Sequence, residues 1–383
     1  MAIEKFSINV SDEALADLSR RLDATRWPDE IENTGWEGGT NLAYMKSLTD
    51  YWRNGYDWRR QESALNSLPH YRIALDGLNI HFLHQRGKGP KPLPLIMSHG
   101  WPGSFVEMVK VLARLTDPAA HGASAEDAFD VVIPSLPGYG FSDHPRERGM
   151  NPTKIAALWA DLMTKLGYQR FGAQGGDWGS AISSALGLAH AERMIGVHLN
   201  YIAGRFLLGG TLNQPQQDAV AKQYLSELRG WWDSEGGYNH QQATKPQTLS
   251  YGLNDSPVGL AAWIIEKFQT WSDCGGDLER VLTRDELLTN VMIYWVTQSI
   301  RSSTQLYYES RERPLRLSPE NRVKPPVAVA AFPREIPLPP RALAERGYNI
   351  VRWTVMPKGG HFAAMEQPEL LASDIREFFR PLR

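Results

Sequence analysis

Five consecutive residues, Gly175-Gly176-Asp177-Trp178-Gly179, set an acidic side chain among glycines in the pattern G-x-Nu-x-G. A strand-like run, Phe171-Gly172-Ala173-Gln174, precedes them, and a helix-like run from Ser180 to Ala191 follows. A sharp strand–turn–helix junction pushes its central side chain forward in a strained conformation and needs small neighbours. Here that side chain is a carboxylate. An aspartate ordinarily titrates near a pH of about 3.9, so it is ionised at neutral pH. It attacks without prior deprotonation and suits displacement at a saturated carbon. The product is an ester of the protein, which water must then cleave. An epoxide or an alkyl halide fits that chemistry better than an ester or amide, for which the position calls for serine.

Cleaving the ester needs a base, a group to orient it, and donors for the charge that develops. Gly359-Gly360-His361-Phe362 comes just after the last strand-like run, where the chain order nucleophile–acid–histidine requires the base. His361 is therefore expected to deprotonate the water. The acid should lie between them, at a strand end. No carboxylate follows Ile195–Asn200 before the next helical region, whereas Phe332-Pro333-Arg334-Glu335 follows the strand-like run Pro326–Phe332. Glu335 is the expected acid, orienting His361 and stabilising its imidazolium.

His99-Gly100-Trp101-Pro102-Gly103-Ser104 follows the strand-like run Leu93–Met97. A loop in that place supplies one backbone N–H of an oxyanion hole, and the residue after the nucleophile supplies the other. Those donors would be Trp101 and Trp178, and losing one such donor costs roughly 2.7–4 kcal/mol. His99 is expected to shape the loop rather than act as a base.

These groups must be carried by a scaffold, and its outline is legible. Strand signals at Leu93–Met97, Val131–Pro134, Phe171–Gln174 and Ile195–Asn200 alternate with helical segments at Ser104–Leu115, Thr153–Leu166 and Ser180–Ala191. Continuous apolar strands between helices mark a sheet covered on both faces. Two earlier runs, Tyr71–Leu75 and Leu78–His84, are joined by the turn pair Asp76-Gly77. Before them lie a helix opened by Ser11 and carrying Leu15, Leu18 and Leu22, and a second from Asn41 to Asn54. From Tyr201 to about Pro314 the segments read as helices, one of them capped by Ser256 with Pro257 at its first position. Strands return at Pro326–Phe332 and Ile350–Met356, and Pro368–Phe379 closes as a helix. The expected fold is an α/β-hydrolase fold with a mostly parallel central sheet. Its expected parts are an N-terminal helical segment (1–68), a core in two pieces (69–203 and 319–383) and a helical lid between them (204–318).

With 383 residues and a formal net charge of −2, the chain shows no basic stripe, which argues against a nucleic-acid partner. Its one cysteine, Cys274, excludes an internal disulfide and a cysteine-based zinc site. No apolar run approaches the ~18 residues needed to span a bilayer, and the start lacks the apolar stretch of a signal peptide. A cytoplasmic enzyme without cofactor or metal is expected, and a compact lid and preface leave room for a homodimer.

Taken together, His99-Gly-Trp-Pro-Gly-Ser, Gly175-Gly-Asp-Trp-Gly-Ser, Phe332-Pro-x-Glu335 and Gly359-Gly-His-Phe resemble the microsomal-type epoxide hydrolases, a family that includes insect juvenile-hormone and fungal enzymes. The resemblance runs through nearly the whole chain, N-terminal helices included. It implies an Asp nucleophile, a His base, an acidic partner, and two lid tyrosines that donate to the epoxide oxygen. By local motif these match Tyr238 in Gly236-Gly-Tyr-Asn-His and Tyr307 in Ser302-Ser-Thr-Gln-Leu-Tyr-Tyr-Glu, with Tyr308 one register away. A phenol of pKa about 10 stays protonated at neutral pH and donates well to an alkoxide. Membrane association through the N-terminal anchor of the mammalian members is not expected to carry over. The implied partners are an apolar aryl or alkyl epoxide and water. A haloalkane dehalogenase, which shares the Asp-Trp pair and the HGxP loop, and a ligand-binding homologue without turnover are the competing readings. A carboxylesterase is disfavoured because Asp177 stands where its serine would be.

Overall fold

Runs of consecutive apolar residues bury both faces of a strand, and here they lie side by side in parallel. The structure, a computed structural model, describes residues 2–203, 207 and 219–383. Among these residues one sheet holds nine strands in the order β1-β2-β3-β5-β4-β6-β7-β8-β9. They are β1 (Glu4–Lys5), β2 (His70–Leu75), β3 (Leu78–Gln85), β4 (Leu93–Ser98), β5 (Phe129–Pro134), β6 (Phe171–Gly175), β7 (Met194–Leu199), β8 (Val323–Ala331) and β9 (Tyr348–Val355). The pairs from β1 to β3 and between β3 and β5 are antiparallel, and the rest are parallel. A mostly parallel sheet is thus observed, with the antiparallel edge supplied by the hairpin at Asp76-Gly77.

The helices follow the expected signals with informative shifts. In α1 (Asp12–Asp23) the Ser11 hydroxyl accepts from the Ala14 N–H, and Leu18 and Leu22 are buried. In α2 (Leu42–Asn54) Asn41 caps, and Met45, Leu48 and Trp52 face inward. A third helix of this preface, α3 (Trp58–Asn66), was not expected: its nine residues are mostly polar, and only Trp58, Glu62 and Leu65 are buried. The expected helix Ser104–Leu115 is split into a single tight turn at Phe105–Met108 and α4 (Val109–Thr116). After α5 (Pro152–Lys165), α6 (Asp177–Ala189) begins three residues before the expected Ser180, so Asp177 is its first residue.

Between β7 and β8 the described residues form α7 (Ala219–Glu235), α8 (Gly237–Thr244), α9 (Pro246–Asp255), α10 (Pro257–Trp271), α11 (Arg284–Thr297) and α12 (Ile300–Glu312). The expected start of this insertion, residue 204, lies outside the described residues. The Ser256 hydroxyl does accept from the Gly259 N–H at the head of α10. The preface braces the insertion: Tyr51 donates to Asp285 at 2.7 Å, and the Thr40 hydroxyl donates to the Ala262 carbonyl at 2.8 Å. A last helix, α13 (Pro368–Phe379), packs on the sheet and α4. No described helix is long and apolar enough to cross a membrane.

Register is what gathers the chemistry. Strands β4 and β6 are parallel neighbours with Ser98 opposite Gly175, so the loop 99–104 and Asp177 leave the sheet side by side. Strands β8 and β9 end together with Ala331 opposite Val355, and a further bridge pairs Arg334 with Gly360. The loops carrying Glu335 and His361 therefore run alongside each other. Loops at the carboxyl ends of parallel strands are where an open α/β sheet places its ligand crevice.

Candidate active site

Asp177 sits at φ 45°, a left-handed conformation that a side chain adopts only under constraint. The constraint is steric and visible at two glycines. A Cβ on Gly179 would run into the Ser98 carbonyl, and one on Gly100 would run into the Asp177 carboxylate itself. The turn can be this tight only because both positions lack a side chain. As the first residue of α6, Asp177 also has its negative charge at a helix N-terminus, where the backbone dipoles favour it.

The Trp101 N–H donates to Asp177 Oδ1 at 2.8 Å. The loop that presents it is held from the insertion: Asn290 Nδ2 donates to the Pro102 carbonyl at 2.7 Å, Ser104 Oγ donates to Asn290 Oδ1 at 2.8 Å, and Tyr294 donates to the Gly103 carbonyl at 2.8 Å. His99 is fully buried, accepts the Leu136 N–H on Nε2 and faces the Gly100 carbonyl with Nδ1. Burial lowers its pKa to about 4, so it is a neutral loop-shaping residue, as its position suggests. Trp178 lies in the first turn of α6, where backbone N–H groups point out of the helix start.

Across the pocket, His361 Nδ1 meets Glu335 Oε1 at 2.5 Å, and its Nε2 faces Asp177 Oδ2 at 3.6 Å. The Ile336 N–H donates to the same Glu335 oxygen at 2.7 Å, which fixes the carboxylate. The side chains of His361 and Glu335 are 3% and 1% exposed, against 15% for Asp177, so the nucleophile is the member of the three most open to an entering molecule. The His361 loop is tied to the end of α10. Its N–H donates to the Trp271 carbonyl at 2.9 Å, and the buried Glu366 accepts the N–H groups of Gly360, Phe362 and Asp273.

Burial disfavours a charge on His361, yet Glu335 and Asp177 reverse the balance and lift it to about 9. Burial pushes Glu335 upward, with His361 and the Ile336 N–H pulling the other way. Two further carboxyl groups surround this centre. Burial, opposed by His361, raises Glu107 to about 8, and burial raises Glu366 to about 7 against its three N–H donors. The protonated form of His361 is thus favoured, with its two ring nitrogens facing Glu335 and Asp177.

The tyrosines pack among the tryptophans beside Asp177. Tyr307 is buried on α12, its ring 4.8 Å from Trp178 and 5.9 Å from both Trp101 and Tyr238. Tyr238, on α8, stacks on Trp101 at 5.4 Å and meets Trp271 edge-on at 5.1 Å. Tyr308 points elsewhere: the Arg148 guanidinium lies over its ring at 4.8 Å. Burial holds the Tyr307 hydroxyl well above its ordinary pKa, opposed by a hydrogen bond from the Trp178 side chain, and its own O–H meets no acceptor among the described residues. A buried donor without a partner is poised for a ligand atom.

Sequence reasoning missed Glu107, Trp271, Asn290 and Glu366. Glu366 stands five residues after His361, and Asn290 lies in an ordinary helical run; neither spacing carries a signal without the fold. Among the described residues no group of three His, Cys, Asp or Glu side chains is placed to hold a metal ion.

Known proteins are similar to this chain along its whole length. The family model for the epoxide hydrolase N terminus matches residues 3–108, and that for the alpha/beta hydrolase fold matches residues 94–247. A protein of Stigmatella aurantiaca is 46% identical over 100% of this chain and 86% of its own length. Epoxide hydrolase 1 of Oryctolagus cuniculus is 41% identical over 98% of this chain and 88% of its own. The crystal structure of juvenile hormone epoxide hydrolase from the silkworm Bombyx mori superposes with a TM-score of 0.89 at 35% identity, covering 100% of this chain and 95% of that one. With its α/β-hydrolase fold, its N-terminal segment and full-length identity of this order, the chain belongs to the microsomal-type epoxide hydrolase family and is an epoxide hydrolase.

Proposed function

We propose that the protein converts an apolar aryl or alkyl epoxide and water to a vicinal diol through a covalent ester on Asp177. The observation that carries this reading is the pair of contacts on the Asp177 carboxylate: the Trp101 N–H on Oδ1, and the His361–Glu335 pair facing Oδ2. With Oδ1 held, Oδ2 is the attacking oxygen. It forms a bond to an epoxide carbon as the ring C–O bond breaks. The freed oxygen takes a proton from Tyr238 or Tyr307, and the imidazolium of His361 restores that proton.

Ester formation removes the negative charge of Asp177, one of the groups that raise His361. The ring, now neutral, becomes a base in the second step. Nε2 accepts a proton from water, whose oxygen attacks the ester carbon, and the N–H groups of Trp101 and Trp178 receive the oxyanion. Collapse breaks the ester C–O bond, and the second proton of the attacking water passes to the departing oxygen, so the diol leaves with Asp177 ionised and His361 charged. One carboxylate oxygen now comes from water. The ring faces of Trp101, Trp178, Trp271, Tyr238 and Tyr307 around the carboxylate support an apolar substrate. The division of the chain at 68/69, 203/204 and 318/319 belongs to the same reading.

The test is intact-mass spectrometry of His361→Gln, incubated separately with an aryl epoxide and with a chloroalkane. Epoxide opening is an addition, so the trapped protein should gain the full substrate mass on the peptide containing Asp177. Dehalogenation is a substitution, and would add the alkyl group alone with halide released. An adduct from the chloroalkane only would transfer the site to that chemistry. No adduct from either would remove Asp177 as the nucleophile.

A further inference from the structure

Lys267 is a buried cation that the reaction above does not use. It lies on α10, with only 6% of its surface exposed. Two carboxylates pair with its ammonium, Glu266 Oε2 at 2.6 Å and Glu235 Oε2 at 3.7 Å. Two aromatic rings also meet it: Nζ lies 4.9 Å from the ring centroid of Tyr238 and 5.6 Å from that of Trp271. Burying an ammonium is costly even when it is paired, and an aliphatic side chain of like length would fill the same space without that cost. What the charge adds is a field at the Tyr238 ring.

A cation over an aromatic face is attracted to the ring's electrons, and the attraction grows where water is excluded. A phenol gains electron density as it gives up its proton. The same ammonium therefore favours the proton-sharing form of Tyr238 over the resting form, and it holds the ring against Trp271. We infer that Lys267 is a positioning residue for Tyr238, fixing the ring and strengthening its hydroxyl as a donor to the oxygen of an opening epoxide. The inference rests on Tyr238 being a donor, as proposed above.

Two measurements on the full chain test it. The first is rapid-mixing kinetics of ester formation and ester hydrolysis with styrene oxide across pH. The second is ultraviolet titration of Tyr238, read as the difference between each protein and its Tyr238→Phe counterpart. Lys267→Met should slow ester formation about tenfold, leave ester hydrolysis within about twofold, and move the Tyr238 titration to higher pH. Lys267→Arg should restore most of the rate. Glu266→Gln removes a counter-charge and should move the titration the opposite way. Equal slowing of both steps by Lys267→Met, with the titration unmoved, would reduce Lys267 to packing and overturn the inference. Should Lys267→Met fail to fold, an unmoved titration in Glu266→Gln overturns it just as well. Ester formation at the wild-type rate in Tyr238→Phe would sink the donor role of Tyr238 instead, and the titration would still show whether Lys267 acts on the ring.

Discussion

The backbone N–H of Trp101 donates to Asp177 Oδ1 across 2.8 Å, so a donor suited to the second step of the proposed reaction already grips the nucleophile before the first. Asn290 and Tyr294 hold the loop that carries it. No reorganisation is then needed when charge develops, which is the condition under which such donors act most strongly. The same bond leaves Oδ2 facing His361.

Asp177→Ala should abolish epoxide turnover, with a loss of at least about a thousandfold. The positive φ is strained for alanine as it is for aspartate, so the fold should persist. Diol formation and circular dichroism check the two halves. Activity within tenfold of the parent would refute the nucleophile.

Tyr307→Phe and Tyr308→Phe should separate cleanly. Tyr307 packs on Trp178 and Trp101, whereas Tyr308 lies beneath Arg148. Tyr307→Phe should slow ester formation by roughly tenfold to a hundredfold, and Tyr308→Phe should leave it near the parent rate. With two donors sharing one oxygen, the double change Tyr238→Phe and Tyr307→Phe should be non-additive. The reverse ranking of Tyr307 and Tyr308 would move the donor by one position.

Glu335→Gln should slow ester hydrolysis more than ester formation, because the imidazolium it stabilises must form again in the second step. Glu335 also helps to raise His361 to about 9. In the parent, ester formation should decline as pH rises through about 9 and His361 loses its proton. Removing the carboxylate lowers the His361 pKa, so that decline should shift to lower pH. Pre-steady-state rates of both steps against pH decide the matter; an unshifted decline would mean another group sets the charge on His361.

Asn290→Ala should weaken the Trp101 loop without touching the pocket's titrating groups. It leaves the buried Ser104 hydroxyl and the Pro102 carbonyl without their partner, at about 1–3 kcal/mol for an unsatisfied buried group. Thermal denaturation should show the loss, and kcat should fall while the pH profile stays in place. A displaced pH profile would contradict a purely supporting role.

Two buried histidines should each contribute less stability in acid, well above the carboxylate range. Burial lowers His99 and His84 to about 4 in the folded protein, whereas an unfolded histidine titrates near a pH of about 6.5. Between those values the unfolded chain binds more protons at these two sites, so their contribution to stability falls as pH drops from about 6.5 to about 4, at up to ~1.4 kcal/mol per pH unit for each fully buried group. Below that window these histidines are charged in both states and the slope they contribute vanishes. Glu107 and Glu366, raised to about 8 and about 7, contribute the opposite slope in this window. Urea denaturation from about pH 7 to about pH 4 is therefore read as the difference between the parent and His84→Gln, and a difference that does not change with pH would rule the contribution out.

Strand and helix positions were legible because their signals are local. Apolar runs such as Val131–Pro134 form strands wherever both faces are covered, and Ser11, Asn41 and Ser256 cap helices through bonds to residues three positions on. The misses share a cause. The segment Trp58–Asn66 is too polar to announce a helix, and its three buried positions acquire meaning only against neighbouring elements. That Asp177 itself opens α6 depends on a turn closed by contact with the Ser98 carbonyl, a residue nearly eighty positions earlier.

The sequence by itself determined the family, the α/β-hydrolase scaffold and the candidates Asp177, Glu335 and His361, since a motif and its order along the chain require no knowledge of folding. Only the tertiary structure decided what surrounds them. The register of β4 on β6 puts the Trp101 N–H on Asp177. The winding of α12 turns Tyr307 rather than Tyr308 toward the tryptophans, and α10 brings Lys267 over Tyr238. Burial and proximity are relations between residues far apart in the chain, set by packing and invisible to any local pattern. For that reason Glu107, Glu366 and Lys267, each ordinary in sequence, become ionisable neighbours of the chemistry only once the chain is folded.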